Sequence, residues 1–218
     1  MTPDFQAVIF DLDGTLLYTL EDLADSLNTV LAEAGLPRRP LADYRFMVGN
    51  GLETLTVRAL PEDRRRPEDV RPILRKFSAL YRERQLIKTR PYPGIEELLA
   101  DLTGRGLRLA VFSNKAHPNT LSVVEHFFPG MFQAILGLQP GRPPKPDPAG
   151  ALSLAAQVSL SPGQFIYLGD SGVDMKTAVA AAMFPVGAAW GYRPVDELWA
   201  AGAARIISVP GELTGLWP

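Results

Sequence analysis

The chain has 218 residues, 46% of them hydrophobic and 21% charged, with 24 acidic residues against 22 basic ones and a net charge of −2. At roughly 100–200 residues per domain this is one large domain, or a core with a smaller second module, and so apolar a chain is not intrinsically disordered. The near-neutral charge argues against nucleic-acid binding by counterion release. No apolar run approaches the roughly 18–20 residues of a membrane span, and the absence of cysteine excludes disulfides and thiolate chemistry.

Short apolar runs alternate with helical patterns along the chain. The runs Ala7–Phe10, Leu107–Phe112, Ala134–Leu138, Phe165–Leu168, Val186–Ala189 and Arg205–Val209 are apolar at nearly every position and flanked by Gly, Pro, Asp or Asn. That pattern predicts strands buried on both faces of a parallel sheet. Amphipathic helices are predicted at Gly94–Arg105, Pro118–Phe127, Pro148–Gln157 and Gly172–Ala182. Asp147–Pro148 reads as a side-chain cap followed by proline in the first helical position. The expected fold is α/β, with a Rossmann-like parallel sheet flanked by helices and joined by right-handed crossovers.

One stretch breaks the alternation. From about Tyr18 to Lys88 there are helical signals and no convincing strand. Leu20, Leu23, Ala24, Leu27, Val30, Leu31 and Ala34 recur at helical spacing. Thr19 with Asp22 reads as a capping box, Gly35 as the helix stop, and Pro67–Gln85 as a second long helix. The expected organisation is a core of residues 1–17 and 88–218, with an all-helical cap over 18–87 inserted after the first strand. The run Glu62–Arg66 reads as a solvated turn rather than a basic patch.

The first strand ends in Asp11-Leu12-Asp13-Gly14-Thr15. Ligands of open α/β sheets bind outside the carboxyl ends of the strands. Two carboxylates about 4 Å apart repel by roughly 4 kcal/mol at an effective dielectric of 20. A divalent cation would relieve this, and so would a proton on one carboxyl, which would then be a ready general acid. A second acidic pair, Asp170 and Asp174, follows the run Phe165–Leu168. Ser113-Asn114-Lys115 follows a third strand end and offers a hydroxyl, an amide and backbone N–H groups to a phosphate, or else is a plain helix-leading loop. Lys145 stands in a stiff proline frame, Pro143-Pro144-Lys145-Pro146, suited to neutralising an anion. With two histidines and no cysteine, any metal is more plausibly a hard cation held by oxygens.

The order Asp-x-Asp-Gly-Thr, Ser-Asn, Lys-Pro, Gly-Asp-x-x-x-Asp resembles the haloacid dehalogenase superfamily of phosphohydrolases, from about Ala7 to Val209. Gly49-Asn50-Gly51, Asn114-Lys115 and Trp190-Gly191-Tyr192-Arg193 resemble its phosphoglycolate phosphatase branch. The resemblance implies a Mg²⁺-dependent phosphatase of a small phosphomonoester, with 2-phosphoglycolate as a candidate. It implies Asp11 as nucleophile, Asp13 as acid and base, and Mg²⁺ held by Asp11, the Asp13 carbonyl and Asp170. Ser113, Asn114 (through its backbone) and Lys145 would bind the phosphoryl oxygens, and Asp174 would support Lys145 or a metal-bound water. The chain departs from the family pattern at Tyr18, which stands where an acid usually opens the cap linker.

A phosphosugar mutase, a pyrophosphatase and a non-catalytic module that binds phosphorylated ligands are the alternatives. The partner expected is a small phosphorylated metabolite, with no nucleic acid and no membrane, for a monomer or homodimer. A cytoplasmic location is expected from the absence of a basic, apolar leader. His117, His126, Met175 and Met183 read as structural, and Trp190 and Tyr192 read equally as core aromatics under the active-site loop or as ligand contacts. Gly49-Asn50-Gly51 is expected to approach the substrate as a turn with positive φ.

Overall fold

The computed structural model describes residues 4–217. It has eight strands: β1 (Ala7–Phe10), β2 (Leu17–Tyr18), β3 (Arg90–Pro91), β4 (Arg108–Ala116), β5 (Ala134–Leu138), β6 (Phe165–Gly169), β7 (Phe184–Ala188) and β8 (Arg205–Ile207). Six form one sheet in the order β5-β4-β1-β6-β7-β8, and every ladder in it is parallel.

The apolar runs are continuous because each strand is covered on both sides. In β1, Val8 and Phe10 pack with α5 (Ile95–Gly104) and α6 (His117–Phe127). Ala7 and Ile9 face the other way, toward α7 (Ala149–Gln157) and α8 (Gly172–Ala180). β6 divides likewise, with Ile166 and Leu168 on the first face and Phe165 and Tyr167 on the second. Every side chain of these two strands is buried, and at about 25 cal/mol per Å² this burial is the main force holding the sheet. β1 lies at the switch point, with β4 on one side and β6 on the other, so the carboxyl ends of these three strands border one crevice.

Several boundaries differ from the sequence expectation. β4 continues through Ser113-Asn114-Lys115, with a slip in its pairing between Phe112 and Ala116; these residues are strand rather than loop. β7 begins at Phe184. Pro185 concealed that start because it offers no N–H, but its carbonyl accepts from Ala204 at 2.9 Å. β8 stops at Ile207, since Val209 leads into a 3₁₀ turn at Pro210–Leu216. α7 starts one residue later than expected. The carboxylate of Asp147 still accepts from the Ala149 amide at 2.8 Å.

Between β2 and β3 lie α1 (Leu20–Glu33), α2 (Leu41–Met47), α3 (Gly51–Ala59) and α4 (Pro67–Arg84), with no strand among them. They share an apolar cluster of their own, built from Leu23, Leu27 and Leu31 of α1 with Tyr44, Leu55 and Phe77. Gly35, at φ +69°, ends α1 in the left-handed conformation. The capping box at Thr19 and Asp22 does not form. The Asp22 carboxylate instead accepts from the Lys88 and Thr89 amides and the Thr89 hydroxyl, at 2.8–3.0 Å. Three donors from the returning chain outcompete one helix N–H. β2 and β3 pair antiparallel where the chain leaves and re-enters the sheet domain, a ribbon too short to read in sequence. Among the described residues, no helix is long and apolar enough to cross a membrane.

Candidate active site

Asp11 follows β1, and its amide donates to Leu168 of β6 at 2.9 Å. Gly14, at φ +96°, lets the chain turn beneath the site; a Cβ there would overlap the Asp170 carboxylate. The two leading acids are paired separately. Lys145 Nζ lies 2.8 Å from Asp11 Oδ1, and Lys115 Nζ lies 2.7 Å from Asp13 Oδ1. Part of the repulsion expected between them is thus relieved by two lysines.

Lys145 spends all three ammonium protons on the core. It donates to Asp11 Oδ1, to the Phe112 carbonyl at 3.1 Å and to Asp174 Oδ1 at 2.6 Å. Asp174 lies in the first turn of α8, and its second oxygen accepts from the amide and hydroxyl of Ser171. Asp170 accepts from the Thr15 hydroxyl at 3.2 Å and the Tyr192 amide at 2.7 Å.

Asp11, Asp170 and Asp174 are all buried, and one oxygen from each lies within 4.8 Å of the others. The third carboxylate of this cluster is Asp174, not Asp13, whose carboxylate is turned toward Lys115; Asp13 could contribute only through its backbone carbonyl. Burial, then the neighbouring charge of Asp174, holds the Asp11 carboxyl well above the usual range. The same two causes push Asp170 up to about 7. Buried, all-oxygen, mutually repelling donors fit a hard divalent cation such as Mg²⁺.

Ser113 Oγ accepts from the Lys115 amide at 3.1 Å. The Asn114 side chain is occupied in holding the fold. It donates to the Gly49 carbonyl at 3.0 Å and to the Lys145 carbonyl, and accepts from the Lys145 amide. A cavity of about 40 Å³ remains over these groups. Its floor is Asp11, Asp13, Ser113, Asn114 and Lys115; its roof, from the helical insert, includes Leu23, Val48, Gly49, Gly51, Leu52 and Leu55. Gly49 (φ +117°) and Gly51 (φ +82°) do adopt positive φ, whereas Asn50 sits at φ −119° and bonds Arg58.

Sequence reasoning passed over several residues here. In the sequence Lys115 is only the last member of the Ser113-Asn114-Lys115 run, yet it is buried and bonds both Asp13 and the Tyr81 hydroxyl, each at 2.7 Å. Tyr81 comes from α4, so its part in the site is invisible without the tertiary fold. Trp190 and Tyr192 are more than packing. Trp190 Nε1 donates to the Thr15 carbonyl, and the Tyr192 hydroxyl accepts from the Thr19 amide at 2.9 Å. Arg193 reaches the Phe46 and Val48 carbonyls, clasping the insert to the loop after β7. Tyr18 packs edge-on to Tyr92 and Tyr192, with Arg90 over its face. His117 Nδ1 accepts from the Gly137 amide, and the ring of His126 packs edge-on to Phe127.

The chain belongs to the haloacid dehalogenase-like hydrolase family, whose profile matches residues 8–188. Within it the chain is similar to the phosphoglycolate phosphatases. It is 34% identical over 207 residues to the one from Haemophilus influenzae, covering 90% of this chain and 92% of that protein. It is 35% identical over 199 residues to the one from Mannheimia succiniciproducens, covering 88% and 89%. The crystal structure of a provisionally named phosphoglycolate phosphatase from Lactobacillus delbrueckii subsp. bulgaricus superposes with a TM-score of 0.91 at 30% identity, over 96% of this chain and 97% of that one. The family and these relatives make the chain a phosphoric monoester hydrolase.

Proposed function

We propose that the chain is a Mg²⁺-dependent phosphatase that hydrolyses 2-phosphoglycolate, or a phosphomonoester of similar size, through a phosphorylated Asp11. The observation that carries this is the pairing of two carboxylates with two lysines at one strand end: Asp11 with Lys145, Asp13 with Lys115. An Asp11 oxygen attacks phosphorus as the bond to the leaving oxygen breaks, and Asp13 gives that oxygen its proton. Asp13 then takes a proton from water, whose oxygen attacks phosphorus; phosphate leaves and the Asp11 carboxylate is restored. Asp11, Asp170 and the Asp13 carbonyl would hold Mg²⁺, with Asp174 supporting Lys145 beside them; the cation neutralises phosphoryl charge. Lys145 exchanges one of its present acceptors for a phosphoryl oxygen, with the Ser113 hydroxyl and the Asn114 backbone alongside.

The make-up of the cavity supports the reading: Asp11, Asp13, Ser113 and Lys115 line its core side, and Leu23, Val48, Leu52 and Leu55 of the helical insert face them. Residues 18–87 act as a cap that excludes water and selects the leaving group. A carbon–halogen hydrolase would have no use for Asp13 or Asp170, and a non-catalytic module would be expected to have lost one of these groups. The test is hydrolysis of 2-phosphoglycolate and of an aryl phosphate with and without Mg²⁺. Metal-dependent release of phosphate from both is expected; transfer of phosphate to a second hydroxyl of a sugar phosphate would instead favour a mutase.

A further inference from the structure

We propose that Lys115 is the residue that discriminates 2-phosphoglycolate from esters of the same size without an acid, by donating to the carboxylate of the leaving group. This rests on the phosphatase reading above and assigns the residue that sets its specificity.

Lys115 is the one cationic side chain on the cavity wall. Its ammonium has three protons: one goes to Asp13 Oδ1, one to the Tyr81 hydroxyl, and the third has no acceptor among the described residues. Lys145 differs, since its three donors are all taken by the core. Lys115 also stands on the right side of the reaction. It touches Asp13, which meets the leaving oxygen, and not Asp11, which meets phosphorus. The rest of the roof is apolar: Leu23, Val48, Leu52 and Leu55. A carboxylate closed into such a space without a partner loses its hydration for nothing, a cost of several kcal/mol that one ammonium N–H offsets. Tyr81 fixes the ammonium from the α4 side, and burial pushes its phenol up to about 12, so the hydroxyl stays neutral and positions Lys115 without cancelling its charge.

The bland alternative is that Lys115 does nothing but hold Asp13. Ethyl phosphate separates the two, because it has the two carbons of 2-phosphoglycolate and no carboxylate. In the Mg²⁺-loaded full chain, kcat/KM for 2-phosphoglycolate should exceed that for ethyl phosphate by at least about 10²-fold. Lys115→Met should lower kcat/KM for both esters, for 2-phosphoglycolate at least tenfold more, and Lys115→Arg should keep part of the preference. Glycolate should inhibit the wild type competitively and Lys115→Met at least tenfold more weakly. A wild-type ratio near one overturns the proposal even if the Met variant does not fold. Equal losses on both esters in Lys115→Met overturn it as well, and leave Lys115 a positioning residue for Asp13. Hydrolysis of both esters at equal rates would leave the phosphatase reading standing; hydrolysis of no phosphomonoester would remove both.

Discussion

The side-chain amide of Asn114 donates to the Gly49 carbonyl at 3.0 Å, tying the turn above the cavity to the strand that forms its floor. The same side chain braces the Lys145 backbone in both directions. One residue of the β4 terminus thus sets the height of the roof and the position of the ammonium that pairs with Asp11.

That tie makes the two glycines of the turn unequal. A Cβ on Gly49 meets nothing within 4 Å, whereas one on Gly51 would lie 3.4 Å from the Asn114 carbonyl. Gly49→Val should mainly cost the strain of positive φ, about 1–3 kcal/mol in a thermal melt. Gly51→Val should in addition lower kcat/KM for 2-phosphoglycolate more than for an aryl phosphate. Equal losses on the two substrates would leave the turn with no part in specificity.

Asp11→Asn keeps the shape and an acceptor for Lys145 but cannot attack phosphorus. Turnover of an aryl phosphate should fall beyond the roughly 10²–10⁴ typical of an acid–base residue, with a normal fold by circular dichroism. Activity within about tenfold of wild type would rule out the covalent route.

Chelation should abolish activity and Mg²⁺ restore it. Ca²⁺, which takes more ligands at longer distances, should restore little. Stability should follow the same cluster. Asp170 titrates near 7 in the fold against an ordinary carboxylate value of 3.8 when unfolded. The metal-free fold therefore favours the protonated acid. That stabilisation is complete below the unfolded value and is lost as pH rises through about 7. Melts in chelator should drop in midpoint from about pH 4 to about pH 7 and level off above that, Asp170→Asn should flatten the drop, and Mg²⁺ should offset it at pH 8. A pH-independent midpoint in chelator would contradict this.

Tyr192→Phe leaves the buried Thr19 amide without its acceptor. The expected loss is about 1–3 kcal/mol in denaturant unfolding, with a smaller effect on catalysis, because Tyr192 still gives its own amide to Asp170. Wild-type stability in this variant would mean that the hydroxyl adds nothing at the junction between the sheet domain and the helical insert.

The parallel sheet, its helices and the order of the acidic motifs were legible in the chain itself. Strands covered on both faces need unbroken apolar runs, and a charged group at the carboxyl end of such a run has nowhere to go but the crevice. Asp11, Asp13, Asp170 and Lys145 announce themselves this way, each within a few residues of a strand or helix end. Pairing between distant segments leaves no such local trace. Tyr81 meets Lys115 across 34 positions, Tyr192 meets Thr19 across 173, and Asn114 meets Gly49 across 65. Asp22 looked like a helix cap because capping is a short-range rule, and it serves Lys88 and Thr89 because the returning chain brings more donors. That Asp174 closes on Asp11 and Asp170, while the Asp13 carboxylate turns to Lys115, likewise depends on how β6 and α8 set their side chains against β1, a relation in space that the spacing of residues along one chain does not encode.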